Sequence, residues 1–228
     1  MTPARNRFLT IVLFALALGA AEAPQRDPSG FRYAVPGREL AFPRDHGAHP
    51  EFQIEWWYFT GNLRGDSGRE YGFELTFFRV GVEPPSAPRR TAWDLRDLAL
   101  AHFAITDVSG GRFRYVEKVN RGSRFTADAA EGALDIFNEG WSATAQPDGS
   151  WRIRAGSPEM ELDLVLRSRK PPAVHGEAGV SVKGDEPGAA SHYYSMTRLE
   201  AEGSIRAGET AESCAGLAWM DHEFSTSV

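Results

Sequence analysis

An all-β chain, folded as an antiparallel barrel or sandwich, is the reading that three features of this sequence support. Short segments with period-two alternation recur along it, each bounded by Gly, Pro, Asp, Asn or Ser. No stretch beyond the N-terminal leader carries a convincing 3.6-residue apolar repeat. Fourteen Phe, six Trp and six Tyr against four Met give an aromatic content suited to strands around a large pocket.

The first strand is expected over 52–63 (FQIEWWYFTGNL), with Phe52, Ile54, Trp56 and Tyr58 on one face and Gln53, Glu55, Trp57 and Phe59 on the other. Both faces are apolar near its middle, so it should be covered on both sides. Gly65-Asp66-Ser67-Gly68 turns the chain into a partner strand at 70–80, and Pro84, Pro85 and Pro88 then impose a loop. A third strand at 98–106 meets a fourth at 112–119 through Asp107-Val108-Ser109-Gly110-Gly111. Short strands follow at 134–137, 141–146, 151–155 and 160–167, punctuated by Pro147-Asp148-Gly149 and Gly156-Ser157-Pro158. Many short strands with regular turns suggest a lipocalin-like (calycin-type) barrel or a sandwich.

Residues 170–190 hold several Pro, Gly and charged residues and no large aromatic, and are expected to form a loop or lid over the barrel mouth. Strands at 192–202 and 212–224 then flank the turn Arg206-Ala207-Gly208. The expected organisation is a leader at 1–21, a β domain over 22–169, the loop at 170–190, and over 191–228 a hairpin that enters a second, truncated β domain. Truncation is expected because a strand-like segment runs almost to Val228, which would leave an unprotected edge.

Arg5 and Arg7, the eleven-residue run 8–18 with Thr10 as its one polar residue, and small residues at 19–21 have the layout of a secretory signal. The run is too short for a membrane span of about 20 residues. Ala21-Glu22-Ala23 fits a small-x-small rule, but Pro24 would hinder cleavage after Ala23, so the cut is placed near Ala21 and the mature protein is expected in the periplasm. No Cys follows the run, so a lipid-anchored form is not encoded. Cys214 is the single cysteine and closes no internal disulfide, so stability must come from a packed core. A net charge of −6, with no local run of Lys or Arg after the leader, argues against nucleic acid as a partner.

Three segments concentrate chemistry. Asp45-His46-Gly47-Ala48-His49-Pro50-Glu51 leads into Glu55-Trp56-Trp57-Tyr58; no metal-binding spacing supports metal ligation, and a hydrogen-bonded loop explains these residues as well. His102 sits inside an apolar strand, as a core imidazole or a pocket residue. The third segment pairs His192-Tyr193-Tyr194-Ser195 with Trp219-Met220-Asp221-His222-Glu223 across the hairpin. If Arg206-Ala207 is a two-residue loop, His192 lies opposite Asp221 and Tyr194 opposite Trp219; if Ala207-Gly208 is the loop, Tyr194 faces Asp221. Either register puts His192, Tyr194, Trp219 and Asp221 on one face, whereas a three-residue loop breaks the cluster.

HPEFQIEWWYFTG, AHFAITD, SHYYSMTRLEAEG and GLAWMDHEFS, in that order from about Asp45 to the C-terminus, resemble the carotenoid 1,2-hydratase and AttH-like family of two-domain lipocalin-like proteins. In the hydratases a His-x-Trp segment and a Tyr-x-Asp segment carry the reaction, with the Asp as proton donor. The resemblance implies those roles for His192-x-Tyr194 and Trp219-x-Asp221, where the aromatic identities are exchanged, and that exchange puts a carotenoid substrate in doubt. It also implies that exported relatives work beside ABC-type export systems.

Hydration of an isolated double bond needs a proton on carbon and a stabilised tertiary cation. A carboxyl in an apolar pocket has a raised pKa and suits Asp221 to the donor role. Trp219 and Tyr194 could each stabilise the cation by about 1–2 kcal/mol, and His192 could orient the water. Glu55, Trp56, Trp57, Tyr58, His102, Tyr193, His222 and Glu223 are the expected ligand-binding residues, and the chemistry requires no cofactor. The competing reading is a non-catalytic periplasmic carrier for a lipid or isoprenoid, working with a membrane transporter. A hydrolase built on Ser195 and His192 fails because residues three apart on a strand point to opposite faces.

Overall fold

The computed structural model describes residues 26–91, 93–186 and 188–226, so the expected leader at 1–21 lies outside the described residues. Among the described residues, thirteen strands form one antiparallel sheet: β1 (Ile54–Gly65), β2 (Glu70–Gly81), β3 (Asp97–Asp107), β4 (Arg112–Arg121), β5 (Ala127–Ala129), β6 (Asp135–Asn138), β7 (Trp141–Ala145), β8 (Trp151–Gly156), β9 (Met160–Ser168), β10 (Ala173–Val174), β11 (Val180–Val182), β12 (Ala190–Ala207) and β13 (Thr210–Ser225). Their order is β4-β3-β2-β1-β13-β12-β9-β8-β7-β6-β5, with β10 and β11 pairing along β12.

The sheet curls until its two ends nearly meet, which makes it an almost closed barrel. Inward positions of each strand fill it; Phe59, Leu75, Phe77, Phe103, Trp141, Ile153 and Leu164 are all buried. Each such side chain contributes roughly 2–3 kcal/mol when removed from water. The Phe103 and Trp141 rings meet edge to face at 5.7 Å across the interior, tying β3 to β7. Between β4 and β6 side chains close the seam in place of a ladder. Asn120 Nδ2 donates to Asn138 Oδ1 at 2.7 Å, Asn138 Nδ2 to the Ala99 carbonyl at 3.3 Å, and Lys118 Nζ to the Glu139 carbonyl at 2.6 Å.

Three expectations about the C-terminal third need correction. The hairpin β12–β13 opens no separate unit: β13 pairs with β1 and β12 with β9, so the hairpin lies at the centre of the same sheet. Residues 170–190, expected as a loop, instead hold two short strands, β10 and β11, which fold back onto the first half of β12 and protect its edge.

The third correction concerns the face shared by four side chains. The two-residue loop is Gly208-Glu209, where Gly208 takes a φ of +68° that a β-carbon would disfavour, and Ala207 pairs with Thr210. That register has the expected parity, but it does not persist. Thr197 and Arg198 together oppose Trp219, a β-bulge between Met196 and Leu199, and beyond it every partner shifts by one. Tyr194 then faces His222, and Ser195 faces Asp221. His192 and Tyr194 point inward, whereas Trp219 and Asp221 stand on the outer face.

Candidate functional site: a buried polar chain behind an arginine-rimmed cavity

The segment 44–49 enters the barrel end beneath β1 and β13. Gly47 is required there: a β-carbon would lie 2.5 Å from the Gly132 nitrogen and 2.7 Å from the Ala130 oxygen. Asp45, His46 and His49 are thereby buried beside Glu55 of β1, Tyr194 of β12 and His222 of β13.

These six side chains form one hydrogen-bonded chain. Asp45 Oδ1 lies 3.0 Å from His49 Nε2, His49 Nδ1 2.7 Å from Glu55 Oε1, and Glu55 Oε1 2.8 Å from His222 Nε2. His222 Nδ1 lies 3.0 Å from the Tyr194 hydroxyl, which lies 2.7 Å from His46 Nδ1. Glu55 also accepts from the His49 backbone N–H and from Arg79 Nε at 3.2 Å. Arg79 is used up in turn by Asp97 at 2.9 Å and by the carbonyls of His49 and Phe52.

One protonation pattern satisfies every contact. Burial alone would raise the Glu55 carboxyl, but the His49 charge, hydrogen bonds from His222 and His49, and Arg79 outweigh it and hold it below the usual range. Burial opposes a charge on His49, yet Glu55 and Asp45 raise its pKa, so it is the cation that donates from both ring nitrogens. Burial keeps His222 neutral against the pull of Glu55, and burial with the neighbouring His222 lowers His46 to about 4. Burial, with the Glu55 and Asp45 charges, pushes Tyr194 well above a normal phenol. Hence His46 N–H donates to Tyr194, Tyr194 O–H to His222, and His222 N–H to Glu55.

His49, Glu55 and His222 have ligand-type atoms within 4.8 Å of one another. Glu55 is already neutralised by His49 and Arg79, so a further cation would meet two positive charges in a desolvated place.

Beyond Arg79 and Trp57, whose indole stacks on the His222 ring at 4.7 Å, lies a cavity of about 600 Å³. It opens in the seam between β3–β4 and β5–β6. Its deep wall is apolar: Trp57, Phe77, Ala127 and Ile136 are buried. Arg89, Arg96, Arg121, Arg124, Trp93 and Phe125 stand around its opening.

Of the predicted site residues, Glu55, His222 and Tyr194 share the buried chain, and Trp57 separates it from the cavity. His192 is buried in a smaller cluster with Phe52, Val180 and Phe224, its Nδ1 without a hydrogen-bond partner, and burial lowers its pKa to about 4. Asp221 lies outside with Tyr58 as its β1 partner, and its carboxylate accepts from Tyr193 at 2.9 Å, Trp219 at 2.7 Å and Ser195. Ser195 Oγ also meets His175 Nε2 at 2.6 Å but is itself buried. Trp56, His102 and Glu223 are on the outer face too; His102 rests against Phe78, and Glu223 pairs with Lys183 at 2.7 Å. Sequence reasoning missed Arg79 and the arginine rim, which carry no local motif; the Asp45-His46 and His49 cluster was visible but unassigned.

Residues 33–228 match the AttH-like family. A crystal structure of a protein assigned as AttH from Nitrosomonas europaea is similar, at 32% identity and a TM-score of 0.77, over 87% of this chain and 59% of that one. A kievitone hydratase from Nectria haematococca shares the fold at 9% identity and a TM-score of 0.63, over 83% of this chain and 53% of that one. The chain therefore spans just over half the length of these relatives. No curated protein matches it.

Proposed function

The chain belongs to the AttH-like family, and we propose from that premise that this part of it is a binding barrel for a lipophilic small molecule. One observation carries the reading: a cavity of about 600 Å³ with a buried apolar wall reaches from the seam to Trp57. That volume is within the usual range of small-molecule pockets.

Acid-catalysed hydration has less geometry behind it. Asp221, the expected proton donor, faces away from the cavity, and its carboxyl group accepts three hydrogen bonds there. Of the three carboxylates that line the cavity, Asp97 is ion-paired with Arg79, backbone hydrogen bonds from Arg90, with those of Thr91, lower Asp94 to about 2, and Asp128 accepts from the Ala129 N–H. None of the three is buried, as a carboxyl kept protonated by desolvation would be. Carriage without turnover is the better match. We place that carriage outside the cytoplasm and beside an ABC-type transporter, on the strength of Arg5, Arg7 and the apolar run at 8–18.

The test is native mass spectrometry of the full-length protein incubated with total lipid extract. One small molecule per chain is expected, and Ala127→Trp, which fills the cavity from a buried wall position, should remove it. Equal adducts on both proteins, or none on either, would refute the reading.

A further inference from the structure

Two chemically distinct zones make up the cavity, and their order is a statement about the ligand. Burial is complete at the deep end, where Trp57, Phe77 and Ile136 leave no polar group free. Exposure is high at the opening, where Trp93 is 81% and Phe125 95% accessible, an unusual position for two large aromatic rings.

The arginines at the opening divide into two kinds. Arg79 and Arg96 are committed: Arg79 to Glu55, Asp97 and two carbonyls, Arg96 to the carbonyls of Pro84, Pro85 and Ala87. Arg89, Arg121 and Arg124, like Arg96, have no carboxylate within ion-pair distance among the described residues, and Arg89 and Arg124 are also exposed. Arg121 is held in place by the carbonyls of Trp93 and Asp94 and lies 5.8 Å over the Trp93 ring, yet keeps its charge uncompensated. Among the nearby acids, Asp97 is ion-paired with Arg79, and neither Asp94 nor Asp128 lies within ion-pair distance of these arginines among the described residues. Four arginines without an ion-pair partner thus line one opening of a chain whose net charge is −6. Arg89 and Arg124 are exposed, and the positive field these side chains share at the opening favours an anion there.

Resting on the lipophile-binding reading above, we infer that the cavity takes a single-chain amphiphile with an oxyanionic head, its tail against Trp57 and Phe77 and its head among Arg89, Arg121 and Arg124. Guanidinium groups match carboxylate and phosphate oxygens by paired hydrogen bonds, and the head stays at the surface, where its hydration is only partly lost. Trp93 and Phe125 cover the neck of the chain between the two zones.

Isothermal titration calorimetry of the full-length protein at neutral pH, with dodecanoate, dodecyl phosphate, dodecanol and inorganic phosphate as probes, tests this. Dodecanoate and dodecyl phosphate should bind at least about tenfold tighter than dodecanol, and inorganic phosphate should not bind measurably. Arg89→Ala combined with Arg124→Ala, both exposed positions, should weaken the two anions about tenfold and leave dodecanol unchanged. Raising salt should weaken the anions in the same selective way. Equal affinity for dodecanol and the anions, or an unaffected double variant, would overturn the anionic head while leaving the cavity reading intact. Inorganic phosphate binding as tightly as dodecyl phosphate would overturn it in favour of a bare anion site. Failure of all four probes would remove both this inference and the binding function on which it rests.

Discussion

Replacing Glu55 by Gln removes one charge at constant shape from the centre of the buried chain. Four donor groups converge on this carboxylate: the His49 backbone N–H and Nδ1, His222 Nε2 and Arg79 Nε. A glutamine can keep its carbonyl at the Oε1 position, where His49 Nδ1 and His222 point, but its amide then directs N–H groups at Arg79 Nε and the His49 backbone. Alternatively it faces two imidazole donors with donors of its own. In either orientation the His49 and Arg79 charges lose their shared anion in a site from which water is excluded. Breaking a buried ion pair from one side costs about 3–5 kcal/mol, a large fraction of the roughly 5–15 kcal/mol that holds a domain together. With a urea slope of roughly 3 kcal/mol/M, the unfolding midpoint should fall by about 1–1.7 M, read by tryptophan fluorescence at pH 7. A shift smaller than about 0.3 M would refute the claim that Glu55 is a charged hub.

Acid should destabilise the barrel before its carboxylates protonate. His46 and His192 are buried neutral with pKa values lowered to about 4, so between 6.5 and 4 the unfolded chain binds protons that the folded chain refuses. Stability is therefore lost as pH falls through that window, by about 2 kcal/mol per histidine at pH 5. Urea midpoints at pH 7 and 5 should show the loss, His192→Asn should recover about 2 kcal/mol of it, and a flat profile would contradict the burial of both rings. Asn138→Ala removes two hydrogen bonds across the seam and should cost about 1–3 kcal/mol. It should also speed amide exchange in β5 and β6 ahead of β1 and β13; uniform acceleration would argue against a side-chain-closed seam. Asp221→Asn should leave the affinity of the cavity for dodecanoate unchanged, because that carboxylate lies on the opposite side of the sheet; a tenfold loss in calorimetry would place it in the binding site after all.

Alternation and turn chemistry are local properties, and they identified most of this fold. The segments 70–80, 98–106 and 160–167 correspond to β2, β3 and β9 with ends extended by a residue or so, because each inward apolar residue must alternate with an outward one wherever a strand has one face in a core. Glu55 and Trp57 were assignable to one face for the same reason. The short β5, β10 and β11 were missed, since two or three residues carry no period and depend on a neighbouring edge to exist.

Sequence alone determined that this chain is an all-β barrel or sandwich rich in aromatic residues, that β12 and β13 form a hairpin, and that its motifs have AttH-like order; the structure closes the sheet into a barrel. Tertiary structure decided which side chains meet. A single bulge at Thr197 and Arg198 reverses the parity of everything beyond it, so it put His192 and Tyr194 inside and left Asp221 outside. Arg89, Arg121 and Arg124 show no basic run along the chain, and Asp45 and His222 come from opposite ends of it. They converge because barrel closure brings distant segments together, and an alternation of polar and apolar residues contains no information about how far a closing sheet will curl.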